Sequence, residues 1–168
     1  MRKAAILVAI VLVATAVNPI SVKALSEEQE GLISTNCSSI KLQLKRIQKD
    51  DAKNRVHLGA QYESILTNLM MNLNLRLVKN NMANAEIAEQ QTQFTSARDQ
   101  FKKDYVEYSR ELEELINIDC KNEPQKFYKK LQKTRDQRSD VDSDIVRLNE
   151  IIEQHHESIV KLREELAK

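Results

Sequence analysis

The sequence predicts an all-α protein: a long up-down-up three-helix antiparallel bundle, coiled-coil-like in its packing, behind an N-terminal signal peptide. Three observations predict it. The 168 residues include only two glycines and two prolines, the residues that punctuate strands and loops. Charged residues of both signs make up 30% and aromatics 4%, the balance of helices with one apolar stripe and solvated outer faces. Apolar residues recur at steps of three and four over most of the chain. A chain of this length has room for one domain.

Residues 1–24 differ from the rest. Arg2 and Lys3 form a basic start, residues 4–17 are an apolar run, and Val22-Lys23-Ala24 places small residues at the −3 and −1 positions of a cleavage site. That is the pattern of a signal peptide, and the run is short of the roughly 20 residues a membrane span needs. The expectation is an exported protein, periplasmic, cell-surface or secreted, with an N-terminal membrane anchor as the alternative if the signal stays uncleaved. Residues 25–168 form the helical domain. Losing Arg2, Lys3 and Lys23 leaves 23 basic against 25 acidic residues, a net charge of −2. A nucleic-acid binder would carry a basic face, so no nucleic-acid partner is expected.

Three helices are predicted, at about 32–79, 83–118 and 124–167. The first carries Ile40, Leu44, Ile47, Leu58, Tyr62, Ile65, Leu69 and Leu73, with a polar gap at Asp51 and Asn54. The second carries Ile87, Phe94, Phe101, Tyr108 and Leu115 at steps of seven, with Tyr105 and Leu112 between them. The third alternates steps of four and three from Phe127 through Leu131, Thr134, Arg138, Val141 and Ile145 to Leu166, a seam that requires burial against other helices. Lys79-Asn80-Asn81 supplies residues for a helix C-cap. Asp119, Asn122 and Pro124 supply a turn and the first position of a new helix.

Facing residues of an antiparallel pair have a constant sum of residue numbers. Leu44 with Leu115, Leu58 with Phe101, and Ile65 with Phe94 share the sum 159, which centres the first turn between Lys79 and Asn80. Leu115 with Leu131, Phe101 with Ile145, and Ile87 with Ile159 share 246, which centres the second at Glu123. An up-down-up bundle satisfies seams and turns together. A heptad does not identify its partner, so an intermolecular third seam, and with it a homo-oligomer, is the alternative.

The same register places Cys37 and Cys120 at one end of the first hairpin. In an oxidising compartment they are expected to form a disulfide. Asn36-Cys37-Ser38 also matches a weak glycosylation sequon. Asp51, Tyr108 and Arg138 fall in one layer, with Asn54 and Tyr105 one layer on. A polar layer that fixes register inside an apolar core is the expectation. A catalytic pair is the rival reading, and a closed bundle offers such a pair no concave site. His155 lies on the third seam opposite Leu69 and the Gln90–Gln91 region. A core or boundary histidine is expected there, and no metal, cofactor or catalytic constellation. Gly59, inside the first helix, marks either a close helix approach or a bend.

Two stretches carry a resemblance. One runs from Arg55-Val56-His57-Leu58-Gly59-Ala60-Gln61-Tyr62 to Leu73-Asn74-Leu75-Arg76-Leu77, and the other is Ile118-Asp119-Cys120-Lys121-Asn122-Glu123-Pro124. Together they resemble exported helical proteins of small-genome candidate-phylum bacteria. The resemblance implies an envelope or surface location and attaches no activity to any residue. The functional expectation is a non-enzymatic structural or protein-interaction protein with one or more protein partners. The alternatives are a periplasmic helical-hairpin chaperone or adaptor and a regulatory coiled coil for cell-wall hydrolases.

Overall fold

The structure, a computed structural model, describes residues 25–167. The signal-peptide reading of residues 1–24 lies outside the described residues. Among the described residues there are no strands, and the fold is a bundle of three long helical rods.

The first rod begins as α1, Glu27–Ser64. It starts five residues before the position the apolar periodicity suggested. The reason is local: Ser26 and Gln29 form a capping box in which the Ser26 hydroxyl accepts from Gln29 N at 3.3 Å and Gln29 Oε1 accepts from Ser26 N at 3.0 Å. Glu27, Glu28 and Glu30 in the first turn complement the helix dipole. The rod then passes through a π-helical segment, Ile65–Met70, where Met71 N donates to Leu66 O, and resumes as α2, Met71–Lys79.

The π segment corrects the predicted seam. The periodicity pointed Ile65, Leu69 and Leu73 inward. The buried positions are Tyr62, which the periodicity also placed inward, with Leu66, Met70 and Leu77; Ile65 and Leu73 are half-buried, and Leu69 is 62% exposed. A wider turn lags behind the 3.6-residue period and rotates the following side chains about the axis. The turn explains why such an adjustment is needed. It occupies residues 80–84 and is centred near Met82 rather than between Lys79 and Asn80. The facing sum is 159 at Asp51–Tyr108 and 165 at Asn74–Gln91, and the π segment lies between them.

Asn81, with φ 56°, ends the rod. Met82 N donates to Leu77 O and Asn81 N to Val78 O, the two bonds of a Schellman cap. Asparagine tolerates the left-handed backbone that most side chains avoid. Asn84 then caps α3, Ala85–Asn117, by accepting from Ile87 N at 3.1 Å. The second turn closes on Asp119, whose carboxylate accepts from Lys121 N, Asn122 N and the Asn122 side chain. Pro124 occupies the first turn of α4, Pro124–Leu166, where its missing N–H is not needed.

The core runs along α3. Phe94, Phe101, Leu112 and Leu115 are all but fully buried, as are Phe127 and Leu148 on α4. Tyr62 stands edge-on to Phe94 and Phe101, with ring centres 6.0 and 5.8 Å away. The Cys37 and Cys120 sulfur atoms lie at bonding distance, with Cα atoms 5.5 Å apart. They tie the first part of α1 to the α3–α4 turn, beside a hydrogen bond from Ser34 Oγ to Lys121 O at 3.0 Å. The close-approach reading of Gly59 does not hold. A Cβ built there meets nothing within 4 Å, so no helix approaches it closely.

The packing is unequal. α3 and α4 meet along most of their length, α1 meets α3 less, and α1 meets α4 least. The bundle is therefore open on one side. Three clefts of about 390, 250 and 450 Å³ follow one another along the seam between the first rod and α4. The expectation that the bundle offers no concave site is corrected by this seam.

Candidate functional site

The middle cleft holds the polar residues singled out above. Tyr108 Oη donates to Asp51 Oδ2 at 2.6 Å. Arg138 reaches the same carboxylate through Nε at 3.0 Å and Nη2 at 3.1 Å. An acid from α1, a phenol from α3 and a guanidinium from α4 thus meet at one point. Tyr105 packs edge-on to Tyr108 at 6.1 Å and carries the Arg55 guanidinium 5.4 Å above its ring. Leu58, Phe101, Val141 and Ile145 complete the walls.

The layer is not a closed core. Tyr108 is 2% exposed, but the Arg138 side chain is 50% exposed because α1 and α4 stand apart. Asn54 is exposed at the rim of the cleft and makes no side-chain hydrogen bond among the described residues. Burial first, and then the hydrogen bond to Asp51, push the Tyr108 phenol well above its ordinary range. The Asp51 bond raises the Arg138 guanidinium further still. Tyr108 is thus a fixed donor and Arg138 a fixed cation. Asp51 is engaged by both.

Asp51→Ala leaves the buried Tyr108 hydroxyl and Arg138 without their acceptor. The expected loss is about 1–2 kcal/mol, less than for a fully buried ion pair because solvent reaches Arg138. A thermal or urea midpoint unchanged by the substitution would show that the trio contributes nothing to stability.

Three further polar clusters lie between α3 and α4; sequence reasoning placed His155 opposite Gln90 in the third and missed the other two. Glu111, 3% exposed, is held between Lys130 and Lys133. The Lys130 and then the Lys133 hydrogen bond keep its carboxyl below the usual carboxylate range. Asp144, 9% exposed, faces Asp104, and its Oδ2 has no partner among the described residues. Burial first, and then the Asp104 carboxylate, push the Asp144 carboxyl up to about 6. The third cluster joins Gln90, His155, Ser158 and Glu86. The facing sum near 246 would have paired Asp104 with Asp144 and Gln90 with Ser158. Their polar character concealed them from a search for apolar seams.

The Asp144 pair sets a pH dependence. Its folded value, about 6, lies above the ordinary 3.8. Between those values the folded state holds a proton that the unfolded state has lost. Stability from this group is therefore highest at acidic pH and falls as pH rises through 6. The expected fall is about 1–2 kcal/mol, allowing for solvent near the carboxyl. Asp144→Asn should raise the melting temperature at pH 7.5 and leave it nearly unchanged at pH 4. Equal effects at both pH values would remove the carboxyl pair as the cause.

Among the described residues no helix is long and apolar enough to cross a membrane. No group of three or more histidine, cysteine or acidic side chains is placed to hold a metal ion among them. Comparison with protein-family models, with curated proteins and with solved structures produced no match.

Proposed function

We propose that the protein is an exported, non-enzymatic interaction protein of the cell envelope or surface, which uses the open α1–α4 seam to hold a protein partner. The seam carries the reading. Ile47 and Leu69 are 38% and 62% exposed along it, whereas the apolar face of α3 is buried. A helix-lined groove with an apolar floor and a polar rim suits an amphipathic helix laid along it. Arg138 with Asp51 is a structural ion pair in the middle of the seam that would fix the register of such a helix. Export is supported by the basic-then-apolar pattern of residues 1–24 and by the resemblance to exported helical proteins.

Photo-crosslinking separates this reading from its rivals. A crosslinking residue at Ile47 lies in the seam, and one at Val106 lies on the outer face of α3, which is 59% exposed there. In the native envelope fraction, Ile47 is expected to give discrete protein adducts and Val106 none. Equal patterns from the two positions would argue against the seam as the contact surface. Light scattering on the same material distinguishes a second copy of this chain from a different partner. A trimer would favour a chaperone-like arrangement with a shared cavity.

A further inference from the structure

The tip of the first rod carries an apolar stripe that the bundle does not use. Met71, Leu75 and Val78 on α2 recur at steps of four and three, so they line up on one side of the helix. They are 42%, 57% and 63% exposed, and they face away from the buried Met70 and Leu77. None of the three clefts along the seam is lined by them.

The charge around the stripe is one-sided. Charged residues make up 30% of the chain, yet residues 64–85 hold only Arg76 and Lys79, both basic, and no acid. Both bases are exposed, and neither makes an ion pair among the described residues. The acids that bracket the segment are engaged elsewhere. Glu63 pairs with Arg98 at 2.8 Å, and Glu86 accepts from Ser158 Oγ at 2.8 Å. α4 ends nearby with Lys161 and Arg163 against Glu164 and Glu165, which balance. The other polar side chains of residues 64–85 are asparagines, Ser64 and Thr67. Amides and hydroxyls cost far less than ions to bring out of bulk water.

We infer that this tip docks on a membrane surface that carries anionic lipid. Met71, Leu75 and Val78 enter the boundary between headgroups and acyl chains, as the apolar face of an interfacial helix does. Lys79 beside the stripe and Arg76 further round the helix reach lipid phosphates through their flexible stems. A second copy laid on the same stripe would set bases against bases, with no acid in the segment to answer them. An acidic protein helix would answer the charge, but the stripe is the outer face of a single helix and offers no groove to hold one. This surface lies outside the seam, so either reading can fail without the other.

The chain has no tryptophan, so a single introduced one reports on its own surroundings. Val78→Trp places it on the stripe, and Val106→Trp places it on the outer face of α3, 59% exposed. Vesicles of equal parts phosphatidylcholine and phosphatidylglycerol, added to the full chain, should move the Val78→Trp emission to shorter wavelength. Brominated acyl chains should quench it, and Val106→Trp should respond to neither. Binding through residues 1–24 does not mimic that contrast. Phosphatidylcholine alone should bind the tip about thirtyfold more weakly, and high salt should weaken the mixed-vesicle response. Leu75→Glu, at an exposed position, should abolish the Val78→Trp shift and leave the melting temperature in place. Equal responses at the two positions, no shift with mixed vesicles, or a shift that survives Leu75→Glu would each overturn the inference. So would a shift that follows protein concentration without lipid, which indicates a second copy. A shift with lipid-free envelope extract and none with vesicles would assign the stripe to an acidic protein instead.

Discussion

Replacing Cys37 and Cys120 by alanine is expected to lower stability by about 4 kcal/mol. The pair closes a loop with a sequence separation of 83, so the cross-link removes a large share of the freedom of the unfolded chain. The location adds to the effect. The first part of α1 has little hold on α4, and it is tied at this end by the Cys37–Cys120 link, the Ser34–Lys121 bond and the Glu30–Gln125 contact. Cys120 is fully buried, and Cys37 packs against the core cluster. Denaturant midpoints with and without a reducing agent measure the loss. Amide exchange should locate it, with faster exchange in residues 27–44 than in residues 85–115. A midpoint unmoved by reduction would mean that the cysteines do not staple the bundle.

The second large effect contrasts neighbours three residues apart. Leu66→Ala is expected to cost about 3 kcal/mol, and Leu69→Ala to stay within about 0.5 kcal/mol. Leu66 is 5% exposed and belongs to the core cluster, whereas Leu69 is 62% exposed. A regular heptad read straight through the segment ranks them in the opposite order. Urea unfolding of the two variants therefore tests the π turn itself. If Leu69→Ala is the more damaging, the first rod is an unbroken α-helix and the apolar face follows the sequence periodicity.

The two hairpins show how far periodicity alone reaches. The extent of α4 and the sevenfold series Phe127, Thr134, Val141, Leu148 and His155 read correctly, because a heptad over more than five repeats leaves one buried face, and Pro124 marks its start by lacking the N–H that a helix interior requires; Arg138 and Leu166 on the same predicted seam are exposed. The Asn80–Asn81 turn is also legible, because asparagine accepts the left-handed backbone that a Schellman cap imposes. The start of α1 was legible too, in Ser26 and Gln29, but as capping chemistry rather than as hydrophobic pattern.

The candidate site divides in the same way. Constant facing sums bring Asp51 to Tyr108 and Tyr108 to Arg138, and Gln90 to His155, because antiparallel register is arithmetic once the turns are known. Exposure does not follow from register. Arg138 is half open to solvent and Asn54 lies at a rim because α1 and α4 stand apart, and separation depends on side-chain volumes summed over all three rods. The Asp104–Asp144 pair escaped for a different reason. Helix pattern reading assigns charged residues to water, and only the contact between α3 and α4 places one of them out of it.

By itself the sequence determined that the chain is helical, that it turns twice, and which cysteines can meet. Those properties follow from local backbone preferences and from the rise per residue, which act along the chain. Tertiary structure decided that the bundle is open along one side, that Leu66 and not Leu69 is buried, and that Asp144 and His155 are shut away from water between the helices. These depend on how three apolar stripes of unequal width share one core, a property of the packed whole that no single helix carries.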